Sequence, residues 1–274
     1  MKINLTIDNI NYSADLSDGK NIAITLLPNG DQPSHFGAPA CTSETLVAGS
    51  FIGDTKRGGS CNANQLTMIP HCNGTHTESI SHIVNQLKPV YQAIETSLLP
   101  SALISLQPVK PKNTDETYNP NFDPDNNVIT KEQLIKALVH LSDEQIQGLV
   151  VRTLPNNSNK TTQIYNVENY PTYFTNDAMK YLVERNVQHL LVDFPSVDKM
   201  YDDGTLSNHR LFWNVELGNK DLSEACELNK TITEMIFVDN KIDDGFYLCN
   251  LQVPRIEADA VPSQPILYSL TKLG

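Results

Sequence analysis

Within residues 71–82, His-Cys-Asn-Gly-Thr-His-Thr-Glu-Ser-Ile-Ser-His, three of the chain's seven histidines fall together with one glutamate. Imidazole is the commonest biological ligand for zinc and its neighbours, and a carboxylate adds charge compensation. His76 and Glu78 are two residues apart, so on an extended segment both point to the same side and can grip one ion together. A helical turn after Glu78 would bring His82 back to the same cavity. Gly74-Thr75 permits a sharp backbone turn with close approach to an ion. Taken alone, the pattern is equally compatible with surface histidines or satisfied core groups. His35, His140 and His189 read as structural or exposed, and Cys72 reads as a small buried hydrophobe before it reads as a soft ligand.

The elements that must position these groups are partly legible. Residues 1–26 read as short strands, Lys2–Ile7, Tyr12–Leu16 and Asn21–Leu26, with Asp18-Gly19 as a turn. Residues 27–60 are rich in Pro, Gly, Ser and Asp and read as loops, where binding residues tend to sit. Leu66–Ile69 is a short apolar strand leading into the histidines. The spacing of Ile83, Leu87, Val90 and Ile94 predicts a helix over 83–97. Ala102–Val109 alternates as a strand, and residues 110–127 are polar, proline-punctuated and loop-like. Thr130 followed by Gln133 fits a capping box at a helix start. Gly148–Thr153 is a buried strand, Thr175–Asn186 a helix, and His189–Asp193 the next strand. That succession predicts a βαβ unit with parallel pairing. The last third is strand-rich, and no internal repeat is visible. The fold class expected is α/β, in a single domain over 1–274, with a mixed sheet and flanking helices.

Composition bounds the rest. The chain has 274 residues, 39% hydrophobic and 19% charged, as in ordinary globular proteins. Its net charge is −12, from 20 Lys+Arg against 32 Asp+Glu, which repels phosphate backbones and makes nucleic acid an unsuitable partner. The N-terminus lacks the apolar run of a signal peptide, and no apolar stretch is long enough to span a membrane. Five cysteines without metal-ribbon spacing read as reduced thiols of a cytoplasmic protein.

The segment 71–82 resembles the signature His-x-Gly-Thr-His-x-Asp-x-Pro-x-His of the cyclase superfamily, which includes bacterial kynurenine formamidase and isatin hydrolase. Gly53-Asp54-Thr55 and Asn64–His71 resemble the family's approach to that signature. Leu149-Val-Val-Arg152-Thr153 is similar to its LLRT strand, and Val192–Asp198 to its VDTPSVD segment at all but one position. His209 follows where the family has a downstream histidine, and Glu234-Met-Ile-Phe resembles its late glutamate before a strand. Gly245-Phe-Tyr, Pro254 and Ser263-Gln-Pro-Ile-Leu fit its C-terminal strands. The likeness covers most of the chain outside 110–127 and 214–230, which read as loop insertions. There are three departures: one extra residue between His71 and Gly74, Glu78 for the family's aspartate, and Ile80 for its proline.

The resemblance implies a single-domain, swivelling β/α/β cyclase-like fold and a role for each residue. His71, His76 and Glu78 would ligate a first metal, His209 and Glu234 would complete a second site, and His82 would transfer protons. Glu224 and Glu227 are rivals to Glu234, because the alignment around 214–230 is loose. The activity implied is hydrolysis of an amide C–N bond by metal-activated water, with one or two Zn or Mn ions per subunit and an aryl formamide such as N-formylkynurenine as substrate. Phe36, Phe51 and Phe194 are candidates for an aromatic substrate wall. The alternatives are a catalytically silent metal- or ligand-binding relative, or a lactam or lactone hydrolase of the same family. The family also implies a homodimer or larger homo-oligomer acting on a small molecule.

Overall fold

The computed structural model describes residues 1–274. Its main sheet has eleven strands. In chain order they are β1 (Lys2–Ile7), β2 (Ile10–Asp15), β3 (Lys20–Asn21), β4 (His76–Glu78), β5 (Leu98–Leu106), β6 (Gly148–Thr153), β7 (His189–Val192), β8 (Thr231–Glu234), β9 (Gly245–Asn250), β10 (Ala260–Pro262) and β11 (Ile266–Lys272). Across the sheet the order is β1-β2-β11-β9-β5-β6-β7-β8-β4-β10, with β3 paired to β11. The four central strands β5 to β8 are parallel, and the strands on both flanks are antiparallel. The architecture is thus mixed α/β, as the sequence implied.

The parallel strands are joined by helical crossovers. Helices α1 (Pro70–Asn73) and α2 (Val90–Ala93) are single turns that precede them; α3 (Lys131–Leu138), α4 (Asn176–Glu184) and α5 (Ser207–Trp213) make the crossovers. Strand β6 reads Leu-Val-Val because it is buried on both faces. Leu149 and Val151 pack against Leu134 and Leu138 of α3, Met179 and Leu182 of α4, and Phe212 and Trp213 of α5. Val150 faces the other way, into a second core with Leu103, Leu191 and Val238. The Thr130 capping box starts α3: its hydroxyl accepts from the Gln133 backbone, and Gln133 returns the bond to the Thr130 N–H. No helix is long and apolar enough to cross a membrane.

Three local expectations are corrected. The helix expected over 83–97 is only the single turn Val90–Ala93. Pro89 lacks a backbone N–H and its ring obstructs the preceding turn, so the pattern of Ile83 and Leu87 cannot propagate. The N-terminal hairpin turns at Asp8-Asn9, both with positive φ, and pairs Ile7 with Ile10. Asp18-Gly19 merely precedes the two-residue strand β3. The strand before the histidines is Asn64–Thr67, exposed throughout and paired with Thr42–Thr45 outside the main sheet.

His189 gives the fold a measurable acid sensitivity. It opens β7, is buried, and its Nδ1 lies 2.8 Å from the Thr231 hydroxyl. Burial pushes its pKa down from 6.5 to about 4. Below pH 6.5 the unfolded chain takes up a proton that the native ring refuses. The stability this residue permits is therefore complete above that pH and is lost as pH falls toward 4, by on the order of 3 kcal/mol. His189→Gln should flatten the slope of urea-derived stability against pH over that window by this amount. An unchanged slope would show that the ring titrates normally.

Candidate metal centre

The centre forms where β4 lies between β8 and β10. Register places Glu234 of β8 opposite His76, and Ile232 opposite Glu78. Alternation then puts His76, Glu78 and Glu234 on the face toward α5, and Thr77 and Thr233 on the other, where their hydroxyls bond at 2.8 Å. The extra residue after His71 is absorbed by α1, one turn opened by Pro70. Buried Asn73 fixes this turn, accepting from the Ile69 N–H at 2.6 Å and donating to the Pro39 carbonyl at 2.9 Å. Thr75 then ties the start of β4 to the Met235 carbonyl and to the Ile24 N–H. After Glu78 the chain turns through a 3-10 segment, Ile80–His82, with Ser79 as its N-cap.

Three imidazoles share one design: one ring nitrogen is tied, and the other faces the carboxylates. His76 Nδ1 donates to the Gly74 carbonyl at 2.9 Å, which turns Nε2 toward Glu234 Oε2, 3.4 Å away. His209 Nδ1 lies 2.6 Å from Asp198 Oδ2, and its Nε2 is 3.0 Å from Glu78 Oε1 and 3.8 Å from Glu234 Oε1. His71 Nε2 lies 3.0 Å from Asp259 Oδ2, and its Nδ1 is 3.0 Å from Glu78 Oε2 without the alignment of a hydrogen bond. Ligating histidines are usually held in this way, with the outer nitrogen fixing tautomer and ring orientation. His82 differs. Its Nε2 is 4.0 Å from Glu78 and its Nδ1 3.9 Å from Asp259, both too long for hydrogen bonds.

Asp198 does two jobs. Its carboxylate accepts from the backbone N–H groups of Asn208 and His209, at 2.8 and 3.1 Å, capping α5 where Leu206 offers no side-chain cap. The same carboxylate holds the His209 ring, so helix and imidazole are set together. Tyr118 donates its hydroxyl to Asp198 at 2.8 Å, which pins the polar 110–127 loop to the centre.

Electrostatics match this geometry. Burial alone would lower His71, but the Asp259 and Glu78 carboxylates overcome it and hold the ring at about 10. Burial likewise opposes the charged form of His209, yet Glu78 and Asp198 keep it well above its ordinary value. Glu78 is fully buried, which would raise it; His82 and His209 nevertheless hold it well below the carboxylate range. Hydrogen bonding from His71, with His82 beside it, holds Asp259 low.

The residues fit a divalent ion. His76 Nε2 and Glu78 Oε2 are buried and have no hydrogen-bond partner, which is costly in the absence of a cation. His71, His76 and Glu78 place their ligand atoms within 4.8 Å of one another, as do Glu78, His82 and His209. Imidazole nitrogen with carboxylate oxygen suits zinc, manganese, iron and cobalt alike. Because His71 and His209 are held cationic, loading Zn2+ at neutral pH should release about two protons, and affinity should fall as pH falls. Calorimetry in buffers of different ionisation enthalpy measures this. A release near zero would remove His71 and His209 from the ligand set.

A cavity of about 240 Å3 opens onto His71, His82, His209 and Glu234. Of the three aromatic candidates, Phe36 lines it, and the other two lie elsewhere. Phe51 sits half-buried in a separate hairpin with Val47–Ala48. Phe194 is buried in the core, its ring 5.5 Å from Phe174, and borders a different cavity beside Lys160 and Asp193. Glu224 and Glu227 are exposed, and Glu234 alone of the three rivals reaches the cluster. His140 is exposed, whereas His35, read as structural or exposed, is buried and lines the cavity. Asp259 was not signalled by the sequence, because it meets His71 across 188 positions. Asp198 closes the Val192–Asp198 segment, where nothing local marks it as the partner of His209.

The comparisons with known proteins follow the same lines. Residues 9–199 match the family Cyclase, described as "Putative cyclase". No match is found among curated proteins. A predicted metal-dependent hydrolase from Bacillus stearothermophilus has a similar structure, with TM-score 0.57 and 14% identity over 92% of this chain and 98% of that one. An isatin hydrolase bound to the product analogue thioisatinate has TM-score 0.53 and 11% identity, covering 93% of each chain. Isatin hydrolase A from Ralstonia solanacearum has TM-score 0.54 and 13% identity, covering 91% of each. At such identities these structures show a shared fold. The family match spans well over half of the sequence, and the chain belongs to the Cyclase family.

Proposed function

We propose that this protein is a metal-dependent hydrolase that cleaves an amide C–N bond, with aryl formamides as its preferred class. One observation carries the reading: three imidazoles, each tied on one nitrogen, aim the other at the buried carboxylates Glu78 and Glu234. His71, His76, Glu78, His209 and Glu234 would hold one or two ions, zinc or manganese. A bound ion of this kind polarises a carbonyl and supplies a water nucleophile at neutral pH.

The chain's own groups supply the rest. His82 is partly exposed and untied, so it is free to take the proton of the attacking water and return it to the leaving nitrogen. Asp259, between His71 and His82, stabilises the imidazolium that forms. The cavity is at the small end of ligand sites, which favours a compact planar amide over a peptide. Some fold neighbours are named isatin hydrolases, and hydrolysis of isatin opens a lactam C–N bond, the same bond class.

A panel of formanilide, a benzo-fused lactam and a benzo-fused lactone, each assayed with Zn2+ or Mn2+ and with chelator, tests the proposal. Expected is metal-dependent release of formate from formanilide. Turnover of the lactam alone would keep the C–N bond class with a cyclic amide as substrate, whereas turnover of the lactone alone would assign ester C–O cleavage and overturn the amide reading. Hydrolysis that survives chelation, or none at all, would sink the reading.

A further inference from the structure

At the mouth of the metal centre stands a second set of ligand atoms, which the inner centre uses only in part. Asp259 is set there by the sheet. It precedes β10, whose Ala260 pairs with Glu78, and its carbonyl accepts from the Ser79 N–H at 2.9 Å. Ser79 in turn caps the 3-10 segment that carries His82. The carboxylate is thereby held beside two rings: Asp259 Oδ2 lies 3.0 Å from His71 Nε2 and 3.9 Å from His82 Nδ1. The rings themselves are stacked, with centroids 4.2 Å apart and planes inclined by 31°. Each presents one nitrogen to the same oxygen.

These distances suit an ion. The three ligand atoms lie within 4.8 Å of one another. Bonds of about 2.1 Å to a tetrahedral ion place its ligand atoms roughly 3.4 Å apart, so small side-chain rotations separate this arrangement from a bound one. The set is open to solvent where the inner one is closed. The side chains of His71, His82 and Asp259 are 23, 27 and 45% exposed, against 0% for Glu78 and 1% for His209. His82 Nδ1 is too far from Asp259 for a hydrogen bond, so a cation there displaces no bond of that ring. At His71 the ion must displace the Nε2 proton, which leaves to water. With an inner ion on Nδ1, the ring then bridges two ions as an imidazolate. That proton loss and the repulsion between two dications make the outer ion the weaker one, filled only at excess metal.

We propose that His71 Nε2, His82 Nδ1 and Asp259 Oδ2 form an outer site for a transition-metal dication such as zinc, which inhibits the enzyme by occupying His82. Two imidazoles and one carboxylate suit first-row transition ions, whereas magnesium and calcium favour shells of oxygen. An ion on His82 takes the lone pair with which that ring would accept the proton of the attacking water. It also stands in the opening of the cavity that His71 and His82 line. The inhibition rests on the amide-hydrolase reading of this centre; the binding of the ion does not.

The test is equilibrium dialysis of the protein against rising Zn2+, with metal analysis, beside formanilide hydrolysis at the same concentrations. Expected is one further, weaker zinc per subunit after the inner centre is full. Its Kd should rise about tenfold or more in Asp259→Asn, whose side-chain oxygen still accepts from His71 but carries no charge, and in His82→Ala. Hydrolysis should rise with the first zinc and then fall by about tenfold or more as the outer ion binds. Excess Mg2+ should leave it unchanged. Asp259→Asn, read against its own maximal rate, should escape the inhibition. No further zinc, or further zinc held equally well by both variants, would overturn the site. Outer zinc with undiminished hydrolysis would overturn its inhibitory role. If formanilide is not hydrolysed at all, but both variants lose the further zinc, the hydrolase reading falls and the outer site stands.

Discussion

Glu78→Gln is expected to weaken divalent-ion binding by about a hundredfold or more and to abolish amide hydrolysis with it. Glu78 is fully buried, with His71 and His209 each 3.0 Å from one of its oxygens and His82 4.0 Å away. Removing its charge takes away a ligand and also the counter-charge of two imidazoles held cationic. The metal-free variant should therefore also be less stable at neutral pH, by about 3 kcal/mol, as when one partner of a buried pair is lost. Metal titration and thermal unfolding read the two effects separately. A variant that keeps its ion and its turnover would remove Glu78 from the centre.

His82→Ala should behave differently. The ring stands beside the cluster without a hydrogen bond to it, stacked at 4.2 Å on His71 and facing Glu78 and Asp259 at about 4 Å. As the proton carrier, its loss should lower kcat by roughly 10²–10⁴-fold while metal content stays the same. Single-turnover kinetics and metal analysis on one preparation check both halves. Loss of the ion in this variant would make His82 a ligand, and kcat within a few-fold of wild type would remove it from the chemistry.

The parts of this molecule that could be read from sequence are those set by local periodicity. The βαβ unit β6–α4–β7 and the Thr130 cap were legible because buried runs, helical spacing and capping chemistry act over a few residues. The helix expected over 83–97 was not realised, because apolar spacing is blind to what Pro89 does to the turn before it. At the site, His76 and Glu78 were paired by strand alternation alone. His209 and Glu234 required the family resemblance, since α5 and β8 reach β4 only through the sheet order. Asp259 and Tyr118 act through contacts across long sequence separations, with no local spacing to announce them. Phe194 shows the converse: an aromatic beside a recognised motif was drawn into the core, since nothing local distinguishes a pocket wall from packing.

The central claim is that His71, His76, Glu78, His209 and Glu234 form one metal centre. Crystals of the protein loaded with Zn2+, measured with anomalous scattering at the zinc edge, test it most directly. Expected is an ion within bonding distance of His76 Nε2 and Glu78 Oε2, the two buried atoms left without partners, with Asp198 and Asp259 still holding the outer nitrogens of His209 and His71. Anomalous density elsewhere, with His76 Nε2 and Glu78 Oε2 unligated, would contradict it.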